Sequence, residues 1–508
     1  MKLRIISLEP GKLIKIKKFI RHIEDMELKM TVWGRILRKK TEDLHFKKSA
    51  EENRQSLVRA MGALDLTALG VGAIIGTGIF VLTGVASADY AGPAVIISFT
   101  ISGMAAGLAA LCYAELASMV PVAGSAYTYT YAALGEIIAW LIGWNIILEY
   151  LVAAGAVAIG WSSYFNDFLK SLNLSLPRML TSSGSDGGII NLTAILITLI
   201  ITLIAIKGTR DSVKATKIIV ALKLTVVLLF IAVGAFNITP GNWKPFAPFG
   251  FTGIMHAAAI VFFAYIGFDA VAAAAEEVKN PSRDLPRGII GSLIISTVLY
   301  ILVSGVLTGM LKYTELNTPS PITSALLATG IRWATAFVSV GALAGLTSVL
   351  LAVIFAQSRV FFAMSRDGLL PPVFSKVHSR FRTPYINTLI VGIAVSLTAA
   401  FLPIDFLAQM ANIGTLSALA VVSLGVIVLR KTQPDLKRPF RVPWVPFLPF
   451  LSICFSVYLM ANLPLITWIR FFLWIIIGLI VYFFYGISHS KLEKTGNTSF
   501  PDYNRQNS

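Results

Sequence analysis

The sequence predicts an all-α polytopic membrane protein with 12 transmembrane helices, and three observations predict it. Of the 508 residues, 56% are hydrophobic and only 14% charged, against about 45–50% and about 25% in soluble domains. Mean hydropathy is +0.75, carried by long blocks such as 190–206 and 293–307, each near the ~20 residues that cross a hydrocarbon core of about 30 Å. The blocks are apolar all round rather than alternating, so the spans must be helices that satisfy their own backbone hydrogen bonds, not strands of a barrel. A large soluble enzyme is excluded by the same composition.

Hydropathy and chain punctuation place the spans at 62–86, 92–118, 126–157, 190–206, 216–236, 253–275, 287–311, 334–358, 384–402, 407–429, 446–462 and 465–486. Net charge is +17, and its distribution matters more than its sum. With the N-terminus inside, 36 of the 43 basic residues fall on inner segments and six on outer ones, Lys170, Arg178, Lys244, Lys312, Arg332 and Arg470. That asymmetry places both termini in the cytoplasm, and the short loops suit a bacterial inner membrane. A nucleic-acid partner has no place in this reading.

Residues 1–60 read as a basic cytoplasmic tail, in which Lys12, Lys15, Lys17 and Lys18 can meet anionic headgroups. Met26 and Met30 offer alternative starts, which would make the first part of the tail an extension. No cleavable secretory signal is expected. Cys112 and Cys454 both fall inside apolar spans, as small hydrophobes rather than a disulfide or metal site. The five histidines lack metal-ligand spacing, so neither a metal nor a cofactor is expected.

The first span carries four glycines between Gly70 and Gly78. Glycine destabilises helix interiors, and two readings account for it here. Gly72 and Gly76 suit close helix packing; alternatively the helix is broken, freeing N–H groups for a carboxylate and carbonyls for an ammonium. The sixth span has a second interruption, Phe263 to Asp269 (FAYIGFD). Gly-interrupted spans at equivalent positions of two repeats point to a transporter site at the bilayer midplane, which favours the broken-helix reading.

Ionisable residues deep in spans cost several kcal/mol unless paired or hydrated, about 2.5–3.5 on insertion scales. Three stand out: Glu149, Lys223 and Asp269. Lys223 is either a fixed cation where a sodium ion would sit, a proton-exchange partner for a carboxylate, or a residue snorkelling from a span end. Glu149 and Asp269 are either functional carboxylates or structural hydrogen-bond partners. Glu115 and Glu136 lie nearer span ends, where capping or packing is the expected role, and Glu276 and Glu277 mark the inner mouth of span six.

The motifs, in order, are Gly72 to Phe80 (GAIIGTGIF), Tyr113 to Ala117 (YAELA), Pro121 to Tyr129 (PVAGSAYTY), Phe263 to Asp269 with Glu276 to Pro281 (EEVKNP), Ser365 to Pro371 (SRDGLLP) and Lys431 to Pro443 (KTQPDLKRPFRVP). In this order the chain resembles the amino acid–polyamine–organocation superfamily, and within it the cationic amino acid transporter family, over nearly its whole length. The resemblance implies a LeuT-type fold: a first five-helix repeat at 61–236, an inverted second repeat at 253–430, two added helices at 446–486 and a cytoplasmic tail at 487–508. It also implies that an amino acid carboxylate is held at Ile75, Gly76, Thr77 and Gly78, while the ammonium meets carbonyls of Ile74, Phe263, Ala264 and Ile266. Lys223 would take the place of a sodium ion; Asp269 and Glu149 would serve side-chain selection or proton coupling. Val353, Ile354 and Phe355 of span eight flank the expected side-chain region without an acidic residue.

The expected activity is therefore secondary transport of L-amino acids, small neutral or cationic, by sodium-independent, proton-coupled alternating access, with a slight tilt to neutral substrates. An exchanger or a polyamine permease is the alternative on the same fold. The partners are the substrate, protons and the lipid bilayer, with room for a small membrane subunit that is not disulfide-linked. No enzymatic constellation of nucleophile and base is present.

Overall fold

The computed structural model describes residues 61–119, 125–184, 187–207, 213–269, 271, 278–381 and 383–491. The basic tail, Glu276, Glu277 and the chain from 492 lie outside them. The described residues are helical, with isolated bridges the sole β pairing among them. Among the described residues, seven helices are long and apolar enough to cross a membrane, and five shorter apolar helices accompany them.

The first span is interrupted as its glycines suggest. Helix α1 (Ala63–Ile74) stops where Ile75 turns extended at φ −73°, ψ 101°, and a π-helical turn restarts at Gly78–Leu82. Helix α2 (Val95–Met119) follows. The predicted third span, 126–157, divides differently: α3 (Ser125–Leu134) is a short separate helix and α4 (Glu136–Ser171) is the long one. Gly135 between them takes φ +100°, a conformation that ends one helix and redirects the chain. Hydropathy alone runs through that corner because apolar residues flank it on both sides.

The helices α5 (Leu192–Lys207) and α6 (Val213–Ala235) come next. Helix α7 (Gly250–Val261) tightens into a 3-10 turn at Phe262–Tyr265, and Ile266 is then extended, which is the second break. Beyond it lie α8 (Pro281–Met310), the short α9 (Pro321–Ala328) and α10 (Arg332–Arg366). The last four are α11 (Tyr385–Phe401), α12 (Ile404–Thr432), α13 (Phe447–Ala461) and α14 (Leu465–Val481).

Polar side chains near the helix ends are matched locally. Glu115 of α2 is buried and accepts Arg430 Nη2 at 2.6 Å, Arg430 Nε at 3.0 Å and the Val442 amide at 2.7 Å. Arg438 spends its guanidinium on the carbonyls of Leu429, Gln433, Pro434 and Leu436. The segment Lys431 to Pro443 is thus a folded loop seated on α2, which accounts for its dense Arg and Pro content. Glu136, also buried, accepts hydroxyls from Tyr131, Tyr482 and Ser490 at 2.7, 3.0 and 2.6 Å. Both glutamates therefore pack the ends of the bundle.

Candidate functional site

The two breaks meet face to face. A Cβ on Gly78 would lie 2.3 Å from Ala264 Cα, and Gly267, at φ +116°, lies so close to the Ala73 carbonyl that a Cβ would reach it at 2.9 Å. Glycine is required at both positions, at the first by backbone contact and at the second also by its left-handed conformation. With no complete turn ahead of them, the N–H groups at Gly76–Gly78 lack helical partners, and the buried Thr77 hydroxyl likewise has none.

Side chains from the surrounding helices engage the carbonyls that the breaks release. Lys223 of α6, 1% exposed, donates from Nζ to Gly72 O at 2.6 Å and Ile75 O at 3.2 Å. A cation is favoured there, because the end of α1 carries the negative pole of its helix dipole. The Tyr300 hydroxyl of α8 lies 2.9 Å from Ile74 O and 2.7 Å from Ala264 O. Asn412 of α12 donates to the carbonyls of Ala259 and Ile260, both at 2.8 Å. Lys223 is therefore not snorkelling to a span end; both of its hydrogen bonds go to the broken helix.

A cavity of about 560 Å³ opens beside the breaks, within the roughly 300–1,000 Å³ of small-molecule sites. Gly76, Thr77 and Gly78 line one part of it, and Ala153, Val157, Phe263, Val349 and Val353 give it an apolar wall. It runs past Leu69, Ile219 and Arg359, toward the bundle end that holds the start of α6 and the end of α10. In the other direction the restarted half-helix is sealed: Ile79, Phe80, Val81 and Leu82 are buried, and Tyr164 donates to Phe80 O at 2.7 Å. There α9 covers the end of α4, with Asp167 accepting from Ser320 and, at 2.8 Å, from Thr323.

Asp269 lines this cavity and accepts the Tyr150 hydroxyl at 3.1 Å. Behind it a hole of about 30 Å³, the share of one water molecule, is bounded by Glu149, Asp269, Tyr113, Tyr150 and Thr415. Of the sequence-predicted site residues, Ile74, Gly76, Thr77, Gly78, Phe263, Ile266, Asp269 and Val353 line the main cavity. Ile75 and Ala264 stand behind its wall as backbone neighbours of Lys223 and Tyr300, and Glu149 lines the small hole. Ile354 is fully buried rather than on the wall. The geometry separates Lys223, whose hydrogen bonds are to carbonyls, from the Glu149 and Asp269 pair.

Sequence reasoning missed three residues. Tyr300 and Asn412 stand among several other polar side chains in α8 and α12, with nothing local to single them out. Arg359 fell just past the predicted end of span eight; the longer α10 puts it on the cavity wall, its guanidinium 3.5 Å over the Phe355 ring.

A family model described as amino acid permease matches residues 61–486. The chain belongs to the amino acid permease family. It is 50% identical to the methylthioribose transporter of Bacillus subtilis (strain 168) over 88% of this chain and 97% of that protein. It is 49% identical to the branched-chain amino acid permease BcaP of the same organism, over 91% of this chain and 100% of that one. Cationic amino acid transporter 4, vacuolar, of Arabidopsis thaliana matches at 32% identity over 90% and 96% of the two chains. All are transporters rather than enzymes, and this permease is a multi-pass membrane protein of the same superfamily.

Proposed function

We propose that this permease carries L-amino acids with apolar side chains across the cell membrane by alternating access. The carrying observation is the meeting, in one cavity, of the unpaired N–H groups at Gly76–Gly78 with the wall of Val157, Phe263, Val349 and Val353. The α-carboxylate takes the N–H groups from Gly76 to Gly78, the Ile75 amide being spent on Val71 O at 2.9 Å; the ammonium takes the carbonyls of Ile74, Phe263 and Ile266, since Ala264 lies behind the wall with its carbonyl on Tyr300. The zwitterion thereby exchanges its hydration for oriented backbone dipoles. In this reading the twelve helices form two inverted repeats, 61–236 and 253–430, with 446–486 added, and both termini are cytoplasmic. The cavity then faces the cytoplasm.

Lys223 supports sodium independence, since a fixed ammonium holds the carbonyls that a sodium ion would need. Glu149 and Asp269, beside a water-sized hole, supply the proton-coupling groups, and an inward proton releases about 2.3 kcal/mol per 100 mV. Neutral substrates are favoured over cationic ones because Asp269 already accepts from Tyr150 and because Arg359 places positive charge on the cavity wall. The remaining partner in this reading is a small membrane subunit, held without a disulfide because Cys112 and Cys454 both lie within helices.

Methylthioribose is the second reading, favoured by the 50% identity to a transporter named for it. Its methylthio group suits the apolar wall, but it has neither carboxylate nor ammonium for the two breaks. Equilibrium binding to the purified protein separates the readings. Leucine and alanine should bind competitively and arginine, putrescine and methylthioribose should not; methylthioribose binding that leucine fails to displace would overturn the proposal.

A further inference from the structure

Tyr300 is the one side chain whose polar atom is within hydrogen-bond reach of backbone from both breaks among the described hydrogen bonds: Ile74 O at 2.9 Å, where α1 ends, and Ala264 O at 2.7 Å, in the turn that ends α7. Its ring is clamped as well. The Phe99 ring of α2 lies 5.3 Å away and the Tyr265 ring 5.4 Å away, edge-on. The Tyr265 hydroxyl in turn donates to Phe99 O at 2.7 Å. Tyr300 itself is fully buried, so neither water nor a neighbouring side chain can replace its hydroxyl without a rearrangement.

A phenol has one proton and two acceptors here. At any instant it donates fully to one carbonyl and leaves the other short of a donor, so its proton is shared between two helices that are separate in sequence. The shorter contact is to Ala264, which does not line the cavity, whereas Ile74 does. A cationic group entering the cavity is then the missing donor for the Ile74 carbonyl. We infer that Tyr300 is a positioning residue that ties the two breaks into one unit and leaves the Ile74 carbonyl under-satisfied until an ammonium arrives. The link to the ammonium rests on the transport reading above; the tie between the breaks does not.

The test separates these two parts. In full-length protein with Cys454→Ser, spin labels are placed at Leu64→Cys on α1 and Phe251→Cys on α7, positions that are 85% and 68% exposed. Without substrate, the parent should give one narrow distance distribution. Adding Tyr300→Phe, which keeps the ring packing and removes only the hydroxyl, should at least double its width. In transport, the same change should raise KM about tenfold, the effect of the joined arrangement of the breaks being populated only about a tenth of the time, while kcat changes less than KM. A purely packing role for Tyr300 would leave KM unmoved.

An unchanged width overturns the tie, and an unchanged KM beside a broadened distribution overturns the link to the ammonium. If the parent carries no amino acid at all, the transport reading fails while the width comparison still decides the tie. Should the Phe variant not fold, 4-aminophenylalanine at position 300 has two N–H donors and can serve both carbonyls at once. It must give a distribution at least as narrow as the parent, and a broader one overturns the tie.

Discussion

The Lys223 ammonium lies 2.6 Å from the Gly72 carbonyl oxygen and reaches Ile75 O at 3.2 Å, so a cation fixed to α6 closes the frayed end of α1. Replacing Lys223 with Ala leaves two buried carbonyls without a donor, at a cost of about 1–3 kcal/mol in group desolvation. Amino acid uptake should fall at least about tenfold, and thermal unfolding should begin earlier. Uptake and melting curves on the same preparation check both.

The seat of that lysine is narrow. A Cβ on Gly345 of α10 would come within 3.0 Å of Lys223 Cε and 3.1 Å of its Cγ. Gly345→Ala should therefore displace the ammonium and lower uptake, although no charge or hydrogen-bonding group is altered. If uptake is untouched, Lys223 has more freedom than its two short hydrogen bonds imply.

Gly78→Ala should be far more damaging than Gly107→Ala. The first Cβ would sit 2.3 Å from Ala264 Cα, where only backbone movement can make room, and the second meets nothing within 4 Å. Overpacking of this kind costs about 1–3 kcal/mol or more. Expression yield and uptake of the two variants, measured side by side, provide the comparison.

The visible parts of this site are those with a local signature. Four glycines from Gly70 to Gly78 mark the break in α1 because a helix interior disfavours them, and Lys223 stands out because apolar residues flank it. Tyr300 and Asn412 carry no such signature: Tyr300 is 226 positions from Ile74 and Asn412 is 153 from Ala259, so their roles arise only when distant helices pack. The corner at Gly135 was hidden for a related reason. Hydropathy averages over a window, and one glycine at φ +100° does not disturb the average.

Asp269→Asn should reduce transport of every substrate together, because the carboxylate that accepts the Tyr150 hydroxyl and lines both cavities is lost. Selective loss of arginine or lysine transport, with leucine intact, would instead make Asp269 a direct ligand of a cationic side chain. Parallel uptake of labelled leucine and arginine distinguishes the two.

The most direct measurement is uptake of labelled leucine, alanine and arginine into proteoliposomes holding the purified full-length protein, in sodium-free medium, with and without an inward proton gradient. The account predicts that leucine and alanine accumulate with the gradient, that a protonophore abolishes accumulation, and that arginine accumulates least. Accumulation that requires sodium, or uptake indifferent to the gradient, would contradict it.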